Sequence, residues 1–231
     1  MCQIIALGGG GFSMEPDNPL LDIYILQQSR KSNPKICLLP TASGDAESYI
    51  TRFYNFFEKQ ACQPSHLSLF RPSTKDLESY LLDKDIIYVG GGNTKNLLAL
   101  WRDWEVDIIL KKAWEKGILL AGLSAGSICW FEEGGTDSYG AELGPLTCLG
   151  FLKGSHCPHY DGEAERRPTY HELIKERRIK PGIAADDGVA LHYVDQTLKK
   201  IVSSRRDAKA YEVSLTEENE LKAEFLGARN S

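Results

Sequence analysis

A chain of 231 residues with a formal charge of −5 has room for one sizeable α/β domain and lacks the basic excess that a nucleic-acid-binding face requires. It contains no run of 18 apolar residues, and its opening MCQIIALGGGGF has neither the basic segment nor the apolar length of a secretory signal, so neither a membrane span nor export is expected. Its six cysteines, at 2, 37, 62, 129, 148 and 157, are scattered singly without a C-x-x-C pair, which points to reduced, buried thiols in a cytoplasmic protein.

Along the chain, short apolar runs alternate with amphipathic ones. QIIALGGGG reads as a buried strand ending in a glycine loop. NPLLDIYILQQSR reads as a helix, with Asn18 as cap and Pro19 in the first turn. KICLLPTAS is a second strand, stopped by Pro40, and apolar residues at 50, 53, 54, 56 and 57 mark the next helix. HLSLF is a third strand, DIIYVGGGN a fourth, residues 94–116 are helical, and GILLAGL is a fifth strand. This alternation predicts a mostly parallel sheet with helices on both faces. Sites in such sheets lie beyond the carboxyl ends of the strands, where three glycine-rich loops should meet. After residue 180, GVALHYVD, KKIVSS and AYEVSLT read as antiparallel strands extending the sheet, and 216–223 as a solvated tail. No repeat or linker divides the chain, so residues 1–231 are expected to form a single domain.

Gly122-Leu123-Ser124-Ala125-Gly126 fits G-x-S-x-G between a predicted strand and a predicted helix, the context of a nucleophile elbow. Such a bend strains the backbone of the serine and leaves no space for side chains two positions away. Ala125 N–H could then donate to a developing oxyanion. A continued helix would place Glu132 and Glu133 about two turns from Ser124, too far to support it.

A serine hydroxyl needs a base. His66, His171 and His192 fall in elements that favour structural or solvated roles. His156 and His159 lie in the loop-like GSHCPHYDGE, and His159 is the better candidate. An orienting carboxylate completes the set. Between serine and histidine stand Glu132, Glu133, Asp137 and Glu142, with Asp161 just beyond. Spacing leaves Asp137, in the turn GGTDSYG, and Glu142 both open. In YVGGGNTKNLL, Gly91 or Gly92 is expected to supply a second oxyanion donor, because glycine lets an amide approach a ligand closely. Asn93 or Thr94 would cap the following helix, and Asn93 is a candidate to meet the substrate.

Taken together, VGGGNTKNLL, GLSAGS and CPHYDGE, in this order and spacing, resemble the peptidase E family of cytoplasmic serine peptidases, the aspartyl dipeptidases, to which cyanophycinases are related. The resemblance runs from the first strand to about residue 215. It implies a flavodoxin-like sheet akin to that of class I glutamine amidotransferases, with Ser124 as nucleophile and His159 as base. The family's acid sits in a TND-like turn whose counterpart is GTDS, favouring Asp137, while cyanophycinase-like relatives use a Glu somewhat further on, keeping Glu142 open. The resemblance also implies that an arginine beyond the histidine holds an N-terminal Asp of a dipeptide. Arg166 is the better match of the Arg166-Arg167 pair.

A dinucleotide site is disfavoured, because LGGGGF lacks the third glycine and the second strand ends without an acidic residue for a ribose. A non-catalytic binding protein would have no need for the three groups to converge. Cys157, His159 and Asp161 alternate without a second cluster to complete a metal site. The expectation is acyl transfer on a small peptide by a monomer or homodimer, with no metal and no organic cofactor.

Overall fold

The computed structural model describes residues 1–140 and 142–227. Strands β1 (Gln3–Leu7), β2 (Lys35–Leu39), β3 (Gln63–His66), β4 (Ile86–Val89) and β5 (Leu119–Leu123) are parallel, in the order β1-β5-β4-β2-β3. Read from the β3 edge, this is the flavodoxin-like order 2-1-3-4-5 with the first strand of the chain moved to the far side. Side chains alternate between two cores, as a doubly covered sheet requires. Ile5, Leu7, Ile36, Leu38, Ile86 and Tyr88 face one core, built with α1 (Gly11–Met14), α2 (Leu20–Gln28) and α3 (Glu47–Phe57). Ile4, Ala6, Cys37, Leu39, Ile87 and Val89 face the other, built with α4 (Leu77–Leu82), α5 (Thr94–Asp103) and α6 (Val106–Glu115).

After α7 (Ala125–Ile128) the chain builds a second sheet. The strands β6 (Phe131–Thr136), β7 (Gly144–Thr147) and β8 (Leu152–Cys157), then α8 (Arg166–Lys175) and β9 (Gly182–Ala185), lead back to the first sheet through Asp186-Asp187-Gly188. There β10 (Val189–Val194) pairs antiparallel with β1, followed by β11 (Thr197–Ser203). β12 (Ala210–Val213) and β13 (Glu218–Leu221) return to the second sheet, and β14 (Glu224–Phe225) ends on β11. The second sheet runs β13-β12-β9-β8-β6-β7, with β6, β8 and β9 parallel.

The fold is thus α/β with mixed sheets flanked by helices. Five local readings shift. The helix after Ser124 stops at Ile128, and Glu132 and Glu133 lie on β6. Cys129, Trp130 and Phe131 are wholly buried there, and a short turn sinks all three at once. The third strand spans Gln63–His66, and the apolar Leu67 and Leu69 are buried just past its end. Asn18 does not cap α2; its amide donates to the Ser204 carbonyl at 3.2 Å and Pro19 takes the cap position. β10 and β11 do extend the first sheet, whereas β12 and β13 join the second. The 216–223 segment contains β13, where Glu218 accepts from Tyr160 at 2.6 Å and pairs with Arg167. All six cysteines are free thiols, and among the described residues no helix is long and apolar enough to cross a membrane.

Candidate active site

Ser124 follows β5 with φ 54° and ψ −116°, a backbone conformation that L-residues reach only under constraint. The constraint is visible on both sides. A Cβ on Gly122 would stand 2.2 Å from the Gly126 carbonyl oxygen, and one on Gly126 would stand 2.3 Å from that of Val89. Ser124 N–H donates to the Leu7 carbonyl at 3.3 Å. The next carbonyl along, that of Gly8, accepts the His159 N–H at 2.9 Å. Consecutive carbonyls at the end of β1 therefore hold the backbones of both residues. No hydrogen bond joins the Ser124 hydroxyl to the imidazole among the described residues.

His159 also has a positive φ, 56°, and its ring is largely buried. Nδ1 donates to Oδ1 of Asp187 at 2.6 Å, which leaves Nε2 with the lone pair. Asp187 occupies the turn where the chain crosses from β9 to β10. Its N–H donates to Asp161 at 2.8 Å, and Arg205 holds both the Asp187 carbonyl (3.0 Å) and the Asp161 carboxylate (2.8 Å). Gly9 and Gly162 crowd the pair: a Cβ on Gly9 would lie 1.9 Å from Asp187 Oδ1, and one on Gly162 would lie 2.4 Å from Oδ2.

Asp137 and Glu142 are not brought to this imidazole. The Asp137 carboxylate is more than half exposed and has Arg166 Nη2 at 3.8 Å, and Glu142 is exposed. The Asp137 turn is committed elsewhere, because the Ser138 hydroxyl accepts the Thr94 N–H at 2.9 Å and fastens the turn to the start of α5. Asp161 braces Asp187 without touching the ring. The carboxylate that reaches His159 lies downstream of the histidine, outside the interval considered between serine and histidine. The available signal was Asp186-Asp187-Gly188: two acids and a glycine closing a parallel strand whose end lies at the same rim. Asp186 turns inward, accepts the Lys209 N–H at 2.9 Å, and is pushed up to about 6 by burial.

The other histidines are spoken for. His156 is fully buried, stacks on Phe131, and bonds Ile183 O at 2.8 Å and Ser127 Oγ at 3.1 Å. Burial lowers it to about 4, so it stays neutral. His66 meets Tyr54, His171 meets Glu218, and His192 bridges Tyr24 and Gln3.

Opposite the histidine, the loop Gly90–Asn93 leaves β4. Gly90 N–H donates to Leu39 O at 3.1 Å, Gly91 N–H to the Tyr49 hydroxyl at 2.9 Å, and Asn93 N–H to Ala42 O at 2.8 Å. Gly92 N–H has no acceptor among the described residues, and neither does Ala125 N–H. The loop touches the serine, since a Cβ on Gly91 would lie 3.3 Å from Ser124 Cβ.

The model of Peptidase family S51 matches residues 4–201. The chain belongs to peptidase family S51. At the level of that family, its chemistry is the hydrolysis of peptides. It is similar to the "Uncharacterized peptidase YgaJ" of Bacillus subtilis, 58% identical over 231 residues, covering 98% of this chain and 100% of that one. Among solved structures, a peptidase from an acI-B1 Actinobacterium superposes with a TM-score of 0.73 at 16% identity, over 96% of this chain and 95% of that one. A putative Peptidase E protein from Listeria monocytogenes EGD-e does so with a TM-score of 0.65 at 18% identity, over 89% and 98%. These two likenesses concern the fold.

Two further candidates of this S51 chain are already engaged. Asn93 caps α5, its Oδ1 accepting the Asn96 N–H at 2.8 Å while its Nδ2 donates to Ser138 O at 3.0 Å. The Arg166 guanidinium is buried and bonds Glu163 through Nε (2.6 Å) and Nη2 (3.2 Å), with Asp137 next to it. Both partner carboxylates are half exposed. The Cys157 thiol, two residues before His159, is pushed up to about 12 by burial and is no nucleophile.

Proposed function

We propose that this S51 peptidase hydrolyses small peptides as a serine enzyme, with Ser124 as nucleophile, His159 as general base and Asp187 as the acid that orients it. The observation that carries this reading is the 2.6 Å His159–Asp187 hydrogen bond, made over the same strand end that holds the strained Ser124. With Nδ1–H committed to Asp187, Nε2 can take the Ser124 proton as the hydroxyl oxygen attacks the peptide carbonyl. The imidazolium that forms is stabilised by the adjacent carboxylate. The free N–H groups of Gly92 and Ala125 stabilise the tetrahedral oxyanion. His159 then protonates the leaving amine, and water, activated by the same nitrogen, releases the acyl group from Ser124. The Ser124–His159 hydrogen bond forms when substrate closes the site, as catalytic contacts commonly tighten in the bound state.

A requirement for N-terminal Asp has less support. An acidic side chain would have to displace Glu163 from Arg166, and the two carboxylates around one guanidinium leave a negative excess there. Peptides with a neutral first residue fit this charge better. Kinetics on matched Ala-X and Asp-X dipeptides test the point: Ala-X is expected to be cleaved at least as fast, and a clear Asp-X preference abolished by Arg166→Ala would overturn it. Fluorophosphonate labelling followed by mass spectrometry tests the chemistry. The label is expected on Ser124, and a label elsewhere, or a Ser124→Ala enzyme with normal turnover, would reject the serine mechanism.

A further inference from the structure

The Gly90–Asn93 loop has four amides and three internal acceptors. Two of these, Leu39 O and Ala42 O, are backbone carbonyls. The third is a side chain, the Tyr49 hydroxyl, which reaches across from α3 to Gly91 N–H at 2.9 Å. Resting on the serine-peptidase reading above, we propose that Tyr49 is a positioning residue, which by holding the Gly91 amide fixes the loop so that, of its amides, that of Gly92 faces the oxyanion beside Ala125 N–H.

Three observations support this. The tyrosine is itself held in place: its ring is buried and packs edge-on against Phe12, with centroids 5.6 Å apart. It also lies so close to the loop that a Cβ on Gly90 would come within 2.8 Å of Cε1. Gly90 thus admits the ring and Gly91 supplies the donor, two consecutive residues shaped to one side chain. The lever arm is short, because Gly91 lies against Ser124 and its amide is one peptide away from that of Gly92. The Gly91 donor also needs the acceptor, since a buried N–H left without a partner is costly and a loop free to turn would satisfy it in other ways. Gly92 has φ 136°, and an L-side chain there would place Cβ 2.2 Å from Ala42 O. That end of the loop is therefore fixed on Ala42, to which Asn93 N–H also bonds, and the Tyr49 hydroxyl fixes the other end at the Gly90–Gly91 peptide, so the peptide between Gly91 and Gly92 is held from both sides.

Tyr49→Phe removes the hydroxyl and keeps the ring. The readout is fluorophosphonate labelling of the intact protein, resolved into kinact and KI, because the phosphonylated serine places an oxygen where the oxyanion would sit. The expected result is a fall in kinact of about 10- to 100-fold, below the cost of deleting an oxyanion donor outright, with KI unchanged. Phe53→Leu, a neighbouring core substitution on α3, serves as the packing control and is expected to lower Tm without slowing kinact. Wild-type kinact in Tyr49→Phe, or an equal fall in Phe53→Leu, would overturn the proposal while leaving the serine reading intact. A label on wild-type protein that is not at Ser124, or that persists in Ser124→Ala, would remove both.

Discussion

On the β4–β5 side of the candidate site, Ser124 and the Gly90–Asn93 loop are held mainly by backbone: strand ends, carbonyl acceptors, and glycines that leave no space for a Cβ. On the other side, the His159 backbone is held by the Gly8 carbonyl but its ring depends on side chains from separate segments, with Asp187 set by Asp161 and Arg205. The difference has a consequence for tolerance. The backbone-held side should be sensitive to added atoms, and the side-chain-held side to lost charges and hydrogen bonds. Tyr49 and Asn93 bring some side-chain dependence to the first side.

On the proposed serine mechanism, the largest effect expected is that of Ser124→Ala, a loss in kcat on the order of 10⁴–10⁶ with the fold retained. Steady-state kinetics and circular dichroism check it. Next comes Asp187→Asn, which keeps the shape of the turn but lets the imidazole adopt the wrong tautomer, for a loss on the order of 10³–10⁴. Measured on the same substrate, Asp137→Asn and Glu142→Gln should stay within about threefold of wild type, since neither carboxylate meets a reacting group. If Asp137→Asn proved the more damaging, the division of the site would have to be redrawn. Gly9→Ala tests the seam between the two sides. Its methyl group would overlap Asp187 Oδ1, and a misplacement near 1 Å costs about 10²-fold in rate. The expected loss is of that size, with little change in KM.

The smallest effect on turnover, but a clear one on stability, is expected at Asp22. This carboxyl is wholly buried beneath the Gly8–Gly11 loop near Tyr88, and burial pushes it up to about 7. A folded-state value above the unfolded one means that the neutral carboxyl's contribution is complete below about 3.8 and is lost as pH rises through 7. Asp22→Asn should therefore raise stability at pH 8 by about 2–4 kcal/mol and flatten that decline. Urea unfolding at pH 5 and pH 8 measures it, and an unchanged slope would mean that Asp22 is solvated.

The parallel half of the fold is legible along the chain because each strand–loop–helix unit carries its own marks: apolar runs, terminal glycines, and a G-x-S-x-G whose glycines answer a local steric demand. Of the two histidines in GSHCPHYDGE, read together as loop-like, the structure puts His156 on β8, fully buried, and His159 just past the strand's end. What escaped was the second sheet and, with it, the acid partner of His159. Asp186-Asp187-Gly188 looks like an ordinary turn, and only the crossing from β9 to β10 carries Asp187 to a ring 28 residues earlier in the chain. The role of Arg166 was similarly hidden, because its bond to Glu163 at i−3 becomes decisive only once the guanidinium is buried.

The amino-acid order by itself determined the strained serine, the glycine loop and the layered parallel core, because these follow from backbone sterics and from apolar spacing over a few neighbouring residues. Tertiary structure decided which carboxylate faces the imidazole, which glycine amide stays free, and whether an arginine is available to a ligand. The first two depend on partners brought together from distant parts of the chain, and the third on the burial of Arg166 beside its near neighbour Glu163; in each, burial and competition for hydrogen bonds, and not local preference, determine the outcome.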